Sequence, residues 1–365
     1  MPSDVDIEEL FSLADEHSVE PLIYASVQRL GGEAVPLAMR QRLQQNVRET
    51  ARFNLLFRAE LANVLRVLEN AGIDVRVFKG PVLAEALYGS IAMRSFSDLD
   101  LLIHRQDFLR AKTVLEDIGY SLVSTPHWNS DSAIFRAPGC QVTFENSLGV
   151  SLDVHWRLLP HVWEENFETE EVWPRRVEAS VSGLPVWTLP REPMLLFQCA
   201  HGARHLWARL GWICDVARLI QLEEAMDWAT VFALADRTEM SRALTVGLAL
   251  AVNLLGEGAP PMAMERVESD IASQKRAASI EARSTDATSI VPGPLEQALS
   301  DVRMCDRTHQ RVQRVFEVLF EPTEAEFRVV RLPPALFFVY YAFRPLRLCA
   351  RYLGQILAYP FRGTR

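Results

Sequence analysis

The repeat of apolar residues changes near residue 73, and this change most constrains the fold that the chain can adopt. Over residues 6–70, apolar residues recur three and four positions apart, as they do along one face of a helix. Short strand-like runs follow, of which Asp98–Ile103 is the clearest, interleaved with helical patterns such as Pro81–Tyr88. The sequence therefore predicts an α+β fold with one small mixed sheet between helical regions.

The same patterns divide the chain into three regions. We expect an N-terminal helical segment over residues 1–72, a domain built on the sheet over residues 73–190, and a larger helical domain over residues 191–365. The strands predicted in the middle region are residues 74–79, 98–103, 120–124, 133–136, 141–145, 151–156 and 185–189, and its helices are residues 81–88 and 106–118. The helices predicted in the last region are residues 192–205, 207–224, 228–238, 241–255, 261–278, 294–320 and 334–357.

The composition argues against several classes of protein. With 38 Lys and Arg against 47 Asp and Glu, the net charge is −9, which does not favour nonspecific binding to nucleic acid. The five cysteines include no CxxC pair, so neither a disulfide framework nor a zinc finger is predicted. Because the chain starts without a signal-peptide pattern and has no apolar run of roughly 18–20 residues, we expect a cytoplasmic protein.

Two aspartates on the buried strand form the first candidate site. Side chains alternate along a strand, so Asp98 and Asp100 point to the same side, about 6–7 Å apart, while Leu99 and Leu101 point into the core. Two ionised carboxylates at this spacing favour a cation between them, and oxygen ligands suit Mg²⁺. Asp153, which has the same alternation in a later predicted strand, is the candidate for a third acid.

A second candidate feature is Lys79-Gly80-Pro81, at a predicted junction between a strand and a helix. Glycine lets the backbone approach a ligand closely, proline suits the first helical position, and the helix N-terminus offers free N–H groups to an anion. Lys79 and Arg94, the latter four residues before Asp98, are therefore candidate phosphate contacts.

Together these residues resemble a known group of enzymes. They are similar to a bacterial family of largely uncharacterised nucleotidyltransferases within the DNA polymerase beta-type nucleotidyltransferase superfamily. The similarity covers roughly residues 50–225. The motifs that carry it are Phe78-Lys-Gly-Pro81, Leu87-Tyr-Gly89, Arg94-Ser-Phe-Ser-Asp-Leu-Asp-Leu-Leu102, Asp153-Val-His-Trp156 and a helical stretch over residues 199–219.

The resemblance implies a Mg²⁺-dependent enzyme that transfers NMP, with AMP from ATP as the expected group, to a hydroxyl or phosphate of an acceptor and releases pyrophosphate. Asp98, Asp100 and Asp153 would bind two Mg²⁺ ions, and Asp153 would also act on the attacking hydroxyl. The implied contacts to the nucleotide are Lys79, Gly80, Ser90, Arg94, Ser97 and His155.

The acceptor and two other functions stay open at this stage. A small molecule, a glycan precursor, a peptide or a protein can serve as the acceptor, whereas the acidic charge disfavours nucleic acid. The alternatives are an inactive nucleotide-binding scaffold or regulatory partner, and a toxin-like nucleotidyltransferase acting on tRNA or protein. No feature of the sequence predicts an oligomeric state.

Alternatives also remain for the phosphate-binding turn and the third acid. Gly89-Ser90 has the usual spacing from the two aspartates, but Gly80 follows a predicted strand and opens a helix, so Gly80 is favoured. Glu145 competes with Asp153. His155 shares a face with Asp153 and can orient it, contact the nucleotide or serve only the structure.

In the helical region, His201 and His205 have the i, i+4 spacing of some zinc ligands, but a third ligand is not evident, so capping or contact with the nucleotide is favoured. Asp215 is a candidate base or ribose contact, and a buried ion pair with Arg204 or Arg218 is favoured over both.

Residues 327–365 contain seven arginines and no acid, with aromatic residues between them. Such a segment can pack against the acidic remainder of the protein, lie on the inner face of an anionic membrane as a peripheral contact, or bind a partner, and packing is favoured.

Overall fold

The computed structural model describes residues 7–31, 35–123, 140–159, 167, 171–221, 226–255, 260–284, 294–330 and 332–358. The N-terminal part forms three helices: α1 (Ile7–Glu16), α2 (Glu20–Arg29) and α3 (Leu37–Asn70). The apolar face of α3, including the buried residues Phe57 and Leu61, packs with the apolar side of the sheet.

A five-stranded sheet follows α3. Its strands are β1 (Val75–Val77), β2 (Asp98–Ile103), β3 (Ser121–Leu122), β4 (Gln141–Glu145) and β5 (Ser151–His155), in the order β1-β2-β5-β4-β3. β2 and β5 run parallel, and the other neighbours run antiparallel. Helix α4 (Pro81–Tyr88) connects β1 to β2, and α5 (Phe108–Asp117) follows β2.

A two-stranded sheet of β6 (Val177–Val181) and β7 (Leu184–Thr188) leads into the helical region. It is tied to β1, because the Thr188 hydroxyl donates a hydrogen bond of 2.6 Å to the Val77 carbonyl. The helices that follow are α6 (Arg191–Arg204), α7 (Leu210–Gln221), α8 (Trp228–Arg237), α9 (Ser241–Leu255), α10 (Pro261–Ser269), α11 (Ile271–Ser284), α12 (Pro294–Met304), α13 (Thr308–Phe320), α14 (Glu324–Val329) and α15 (Val339–Ala358).

Two large apolar cores meet at helix α4. One lies between the sheet and helices α3 and α5, and the other fills the helical region around α6, α7 and α9. Val82 belongs to the first core, whereas Leu83 and Leu87 belong to the second. Helix α4 is therefore held by apolar contacts on both sides, which fixes the position of the residues at its N-terminus.

The predicted α+β class with a mixed sheet is confirmed, and β2, β4, α4 and α9 have the predicted bounds. Two long predicted helices are divided. The first, 261–278, breaks at Asp270, whose carboxylate accepts a hydrogen bond of 3.0 Å from the Ser273 backbone N–H and so starts a new helix. The second, 294–320, is interrupted between Met304 and Thr308. Sequence reasoning missed β6 and α14, and the predicted strand over residues 133–136 lies outside the described residues.

The described part of the basic C-terminal segment packs on the protein. Arg344 and Arg347 both form ion pairs with the buried carboxylate of Glu326. The Tyr340 hydroxyl donates a hydrogen bond of 2.7 Å to the Val330 carbonyl. These contacts favour the packing interpretation for this part of the segment. In the described part of the chain, none of the helices has both the length and the apolar character that crossing a membrane requires.

Candidate active site

The register of the two parallel strands brings the predicted acids together. β2 and β5 are paired so that Asp100 stands opposite Asp153. Leu99 and Leu152 are fully buried in the core on the opposite face of the sheet. Because side chains alternate along both strands, Asp98, Asp100 and Asp153 share the other face with His155.

Asp100 is the most tightly held of these acids. Its Oδ1 accepts a hydrogen bond of 2.7 Å from Lys79 Nζ and lies 3.0 Å from His155 Nε2. Although burial acts in the opposite direction, the charge of Lys79 and the contact with His155 hold the pKa of Asp100 well below its usual range. Asp100 is therefore ionised, and its Oδ2 is buried without a hydrogen-bond partner among the described residues.

Asp98 and Asp153 have a different electrostatic environment. Burial, and next the negative charge of Asp100, raise the pKa of Asp98 to about 6. Burial also raises the pKa of Asp153, against the hydrogen bond of 2.6 Å that its Oδ1 accepts from the Thr143 hydroxyl. The Gln141 side-chain amide donates to the other oxygen of Asp153. Burial thus disfavours the ionised forms of Asp98 and Asp153, whereas Lys79 and His155 stabilise the ionised form of Asp100.

Gly80 sets the backbone conformation at the junction between β1 and α4, next to Lys79. Its φ of +51° and ψ of −121° lie in a region that only glycine adopts readily. A Cβ added at Gly80 would lie 3.1 Å from the Asp98 carbonyl oxygen, so α4 begins in direct contact with β2. Pro81 occupies the first turn of the helix, and Lys79 Nζ lies 5.5 Å and 5.7 Å from the ring centroids of Phe78 and Phe197.

These residues line a cavity of about 880 Å³. The sheet contributes the acids, and the helical region contributes His201, His205 and Trp212. Ser18 and Leu22 reach it from the turn between α1 and α2 and from the start of α2. Helices α13 and α15 contribute further side chains, so the walls come from widely separated parts of the chain.

Arg94 lines the cavity, but its guanidinium also contacts the helical region. Arg94 Nε donates a hydrogen bond of 3.0 Å to Asp215 Oδ2, and the Tyr88 hydroxyl donates one of 2.9 Å to Asp215 Oδ1. The expected partner of Asp215, Arg204 or Arg218, is therefore corrected to Arg94. Arg218 instead donates from Nε to the Leu87 carbonyl, at 3.0 Å.

Ser97 lines the cavity, whereas the structure does not bring Ser90 to it. The Ser90 hydroxyl accepts a hydrogen bond of 3.2 Å from the Ala92 backbone N–H, and Gly89 ends helix α4 with a φ of +73°. Gly89 and Ser90, the alternative phosphate-binding turn, thus end helix α4 and cap the turn that follows it. Glu145 is exposed and does not line the cavity, which leaves Asp153 as the acid beside Asp100.

His201 and His205 form an aromatic cluster with Trp212. The two imidazole centroids are 4.6 Å apart and lie 5.3 Å and 5.5 Å from the centroid of Trp212. Burial, followed by the charge of Lys79, lowers the pKa of His201 well below its usual value, and burial followed by the charge of Arg204 lowers that of His205 to about 4. Both are neutral near pH 7, and among the described residues they meet no third metal ligand.

Sequence reasoning missed the residues that hold Asp153. Gln141 and Thr143 alternate with the buried residues Val142 and Phe144, so they lie on the face of β4 that carries Asp153 on β5. That alternation was visible in the sequence, but the pairing of β4 with β5 was needed to interpret it. No sequence pattern pointed to Trp212. It lines the cavity because α7, which carries it, packs against α6.

A family described as uncharacterised nucleotidyltransferase matches residues 3–256, well over half of the chain. The chain belongs to this family. The expected superfamily resemblance is thereby confirmed at the level of the family, and the protein is a transferase of the nucleotidyltransferase type. No curated protein matches the sequence.

The solved structures that match this nucleotidyltransferase have low sequence identity to it and low TM-scores. A crystal structure of ANT(2″)-Ia in complex with adenylyl-2″-tobramycin is 13% identical and has a TM-score of 0.37, over 49% of this chain and 95% of that one. An antigenic nucleotidyltransferase-like protein from Paracoccidioides brasiliensis is 18% identical with a TM-score of 0.36, over 58% and 92% of the two chains.

Proposed function

We propose that the protein transfers NMP, with AMP from ATP as the preferred group, to a hydroxyl or phosphate of an acceptor, with release of pyrophosphate and dependence on Mg²⁺. The observation that carries the proposal is the pairing of Asp100 with Asp153 across two parallel strands, beside Lys79 at the start of α4. Residues 73–190 would form the catalytic domain, and residues 191–365 would cover it.

The donor set fits magnesium. Asp98, Asp100 and Asp153 supply carboxylate oxygens, which are the ligands of hard divalent cations. Asp100 Oδ2 is buried and has no hydrogen-bond partner among the described residues, and a buried anionic oxygen of this kind favours a bound cation. When bound, two Mg²⁺ ions would stabilise the negative charge that develops on the transferred phosphoryl group.

The protein's own residues would orient the nucleotide. Gly80, at the start of α4, would let the backbone approach the phosphate oxygens closely, and Lys79 adds a positive charge beside Asp100. Arg94 is held by Asp215, so it would add positive charge at a fixed position. Asp153, whose pKa burial raises, would accept the proton of the attacking hydroxyl, because a base is most effective when its pKa approaches the working pH.

The neutral cluster of His201, His205 and Trp212 would contact the nucleobase. Flat, uncharged rings lining a cavity favour a flat aromatic ligand. Ser97 and His155, which also line the cavity, are the other proposed contacts to the nucleotide.

Transfer can be tested by incubating the protein with each NTP and Mg²⁺, with an extract of its own cell as the acceptor source. We expect pyrophosphate release and a labelled acceptor in mass spectrometry. Asp100→Asn and Asp153→Asn should each lower the rate roughly a thousandfold, the effect of losing about 4 kcal/mol of transition-state stabilisation.

The matched control is Asp117→Asn, which changes an exposed aspartate on α5 away from the cavity and should leave the rate unchanged. Circular dichroism checks that each variant is folded. Full activity in Asp100→Asn, or calorimetric binding of Mg²⁺ and NTP without any pyrophosphate release, would contradict the proposal, and the second result would indicate a nucleotide-binding scaffold.

A further inference from the structure

We propose that Asp100, Asp153 and His155 together bind one divalent cation through a mixed set of oxygen and nitrogen ligands, and that this site prefers Mn²⁺ to Mg²⁺. Only the participation of that ion in NMP transfer rests on the proposed function.

The three side chains converge on one point. Each offers one ligand atom, and these atoms all lie within 4.8 Å of one another. In the described part of the chain, no other group of three His, Cys, Asp or Glu side chains does so. An ion bound at about 2.0–2.2 Å from each donor holds two donors at most about 4.4 Å apart, so shifts of a few tenths of an ångström suffice.

His155, and not Asp98, completes this cluster. Asp98 is paired in register with Ser151, two residues along the strands from the Asp100–Asp153 pair, and it is not part of the group. His155 is 2% exposed, so its imidazole has little access to water. The sequence pattern of three aspartates therefore differs from the set of ligand atoms that lie closest together.

One oxygen of the cluster lacks a partner. Asp100 Oδ2 is buried without a hydrogen bond among the described residues. In the native state most buried polar atoms have a partner, so this anionic oxygen beside Asp153 and His155 indicates a bound cation. The contact of 3.0 Å between His155 Nε2 and Asp100 Oδ1 accounts for one proton, and a cation bound to this nitrogen takes the place of that proton.

The surrounding residues hold the donors in place. Gln141 and Thr143 donate hydrogen bonds to the two oxygens of Asp153. The ring of Phe78 packs against His155 in a T-shaped arrangement, with the centroids 4.9 Å apart. Partners of this kind orient metal ligands and reduce the cost of assembling them.

The imidazole nitrogen determines which cation is preferred. Mg²⁺ takes oxygen ligands almost exclusively, whereas first-row transition metals accept carboxylate and imidazole together. Replacing one carboxylate by an imidazole in the ligand set therefore favours a first-row transition metal, Mn²⁺ included, over Mg²⁺.

The test uses the full-length protein, Mn²⁺ alone and pulsed electron paramagnetic resonance. Bound Mn²⁺ should show coupling to a histidine nitrogen, and the coupling should change when the protein is labelled with ¹⁵N-histidine. Calorimetry should give a lower Kd for Mn²⁺ than for Mg²⁺, and His155→Asn should weaken Mn²⁺ binding about 10–100-fold. His201→Asn, which changes another imidazole of the cavity, should leave the nitrogen coupling intact.

Bound Mn²⁺ with oxygen ligands only, or an absence of Mn²⁺ binding, overturns the inference. The isotope comparison on the unchanged protein decides the question even if His155→Asn does not fold. Nitrogen coupling without NMP transfer would refute the proposed function and leave the metal site standing. Transfer with Mg²⁺ and an oxygen-only Mn²⁺ spectrum would refute the metal site alone.

Discussion

Among the three acids of the site, Asp98 is predicted to titrate close to neutral pH. Its pKa of about 6 exceeds the ordinary aspartate value, because burial and the neighbouring charge of Asp100 disfavour ionisation in the folded protein. The folded state thus binds more protons than the unfolded state between about pH 4 and pH 6. Without divalent cations, this residue should reduce stability as the pH rises through that window.

We predict that Asp98→Asn stabilises the metal-free protein at pH 7.5 by up to about 3 kcal/mol and has little effect at pH 4, where Asp98 is already protonated. Urea unfolding of both proteins in a chelator, at the two pH values, measures the difference. Equal stability changes at pH 4 and pH 7.5 would show that ionisation of Asp98 does not destabilise the folded protein.

The sequence was informative for residues whose position depends on local periodicity. Asp98 and Asp100 had to share a face because they are two positions apart on a strand. The partner of Arg94 could not be predicted, because Asp215 lies 121 residues away and meets it only when α7 packs on α4. For the same reason, sequence reasoning chose the wrong arginines for Asp215.

Among the elements, helix α4 depends most on a single residue. Gly80 provides both a backbone conformation that other residues rarely adopt and space for the Asp98 carbonyl oxygen. Gly89, at the other end of the helix, has a φ of +73° but has no atom within 4 Å of an added Cβ.

We predict that Gly80→Ala lowers the free energy of unfolding by about 2–3 kcal/mol. Gly89→Ala should cost only about 1 kcal/mol, because the alanine would strain the backbone at positive φ but its Cβ would contact no neighbouring atom. Urea unfolding of the two variants gives the comparison. Equal losses would mean that the contact between the start of α4 and β2 is relaxed in solution.

The elements also show where sequence patterns stop being sufficient. The bounds of β2 and α4 followed from apolar spacing and from Gly80-Pro81. The parallel pairing of β2 with β5 depends on the intervening chain, and the break at Asp270 depends on one side chain capping a helix within a continuous apolar pattern. Such features are set by tertiary contacts and by single hydrogen bonds.

At the scale of the whole molecule, the cavity depends on the C-terminal helices. Tyr341 on α15 lines it, and α15 is held by the ion pairs of Arg344 and Arg347 with Glu326. Glu326 is fully buried, so its charge has little access to water. Composition alone identified the segment as basic, but it did not reveal this internal acid as a partner.

We predict that Glu326→Gln destabilises the protein by about 3–5 kcal/mol, because it leaves two arginines without their shared carboxylate. Amide hydrogen exchange should increase over α15. The control is Glu296→Gln, which removes the more exposed pair with Arg283 and should cost less than about 1 kcal/mol. Unchanged exchange over α15 in Glu326→Gln would contradict a role for Glu326 in holding that helix.

The double attachment of helix α4 limits how substrates reach the acids. Its leucines Leu83 and Leu87 belong to the core of the helical region, while Val82 belongs to the core under the sheet. A hinge that separates the two regions would expose both leucines to water, at a cost of about 3–6 kcal/mol. Ligand entry is therefore expected to need only local movement at the rim, such as the corner around Ser18 and Leu22, while the two cores move as one rigid body.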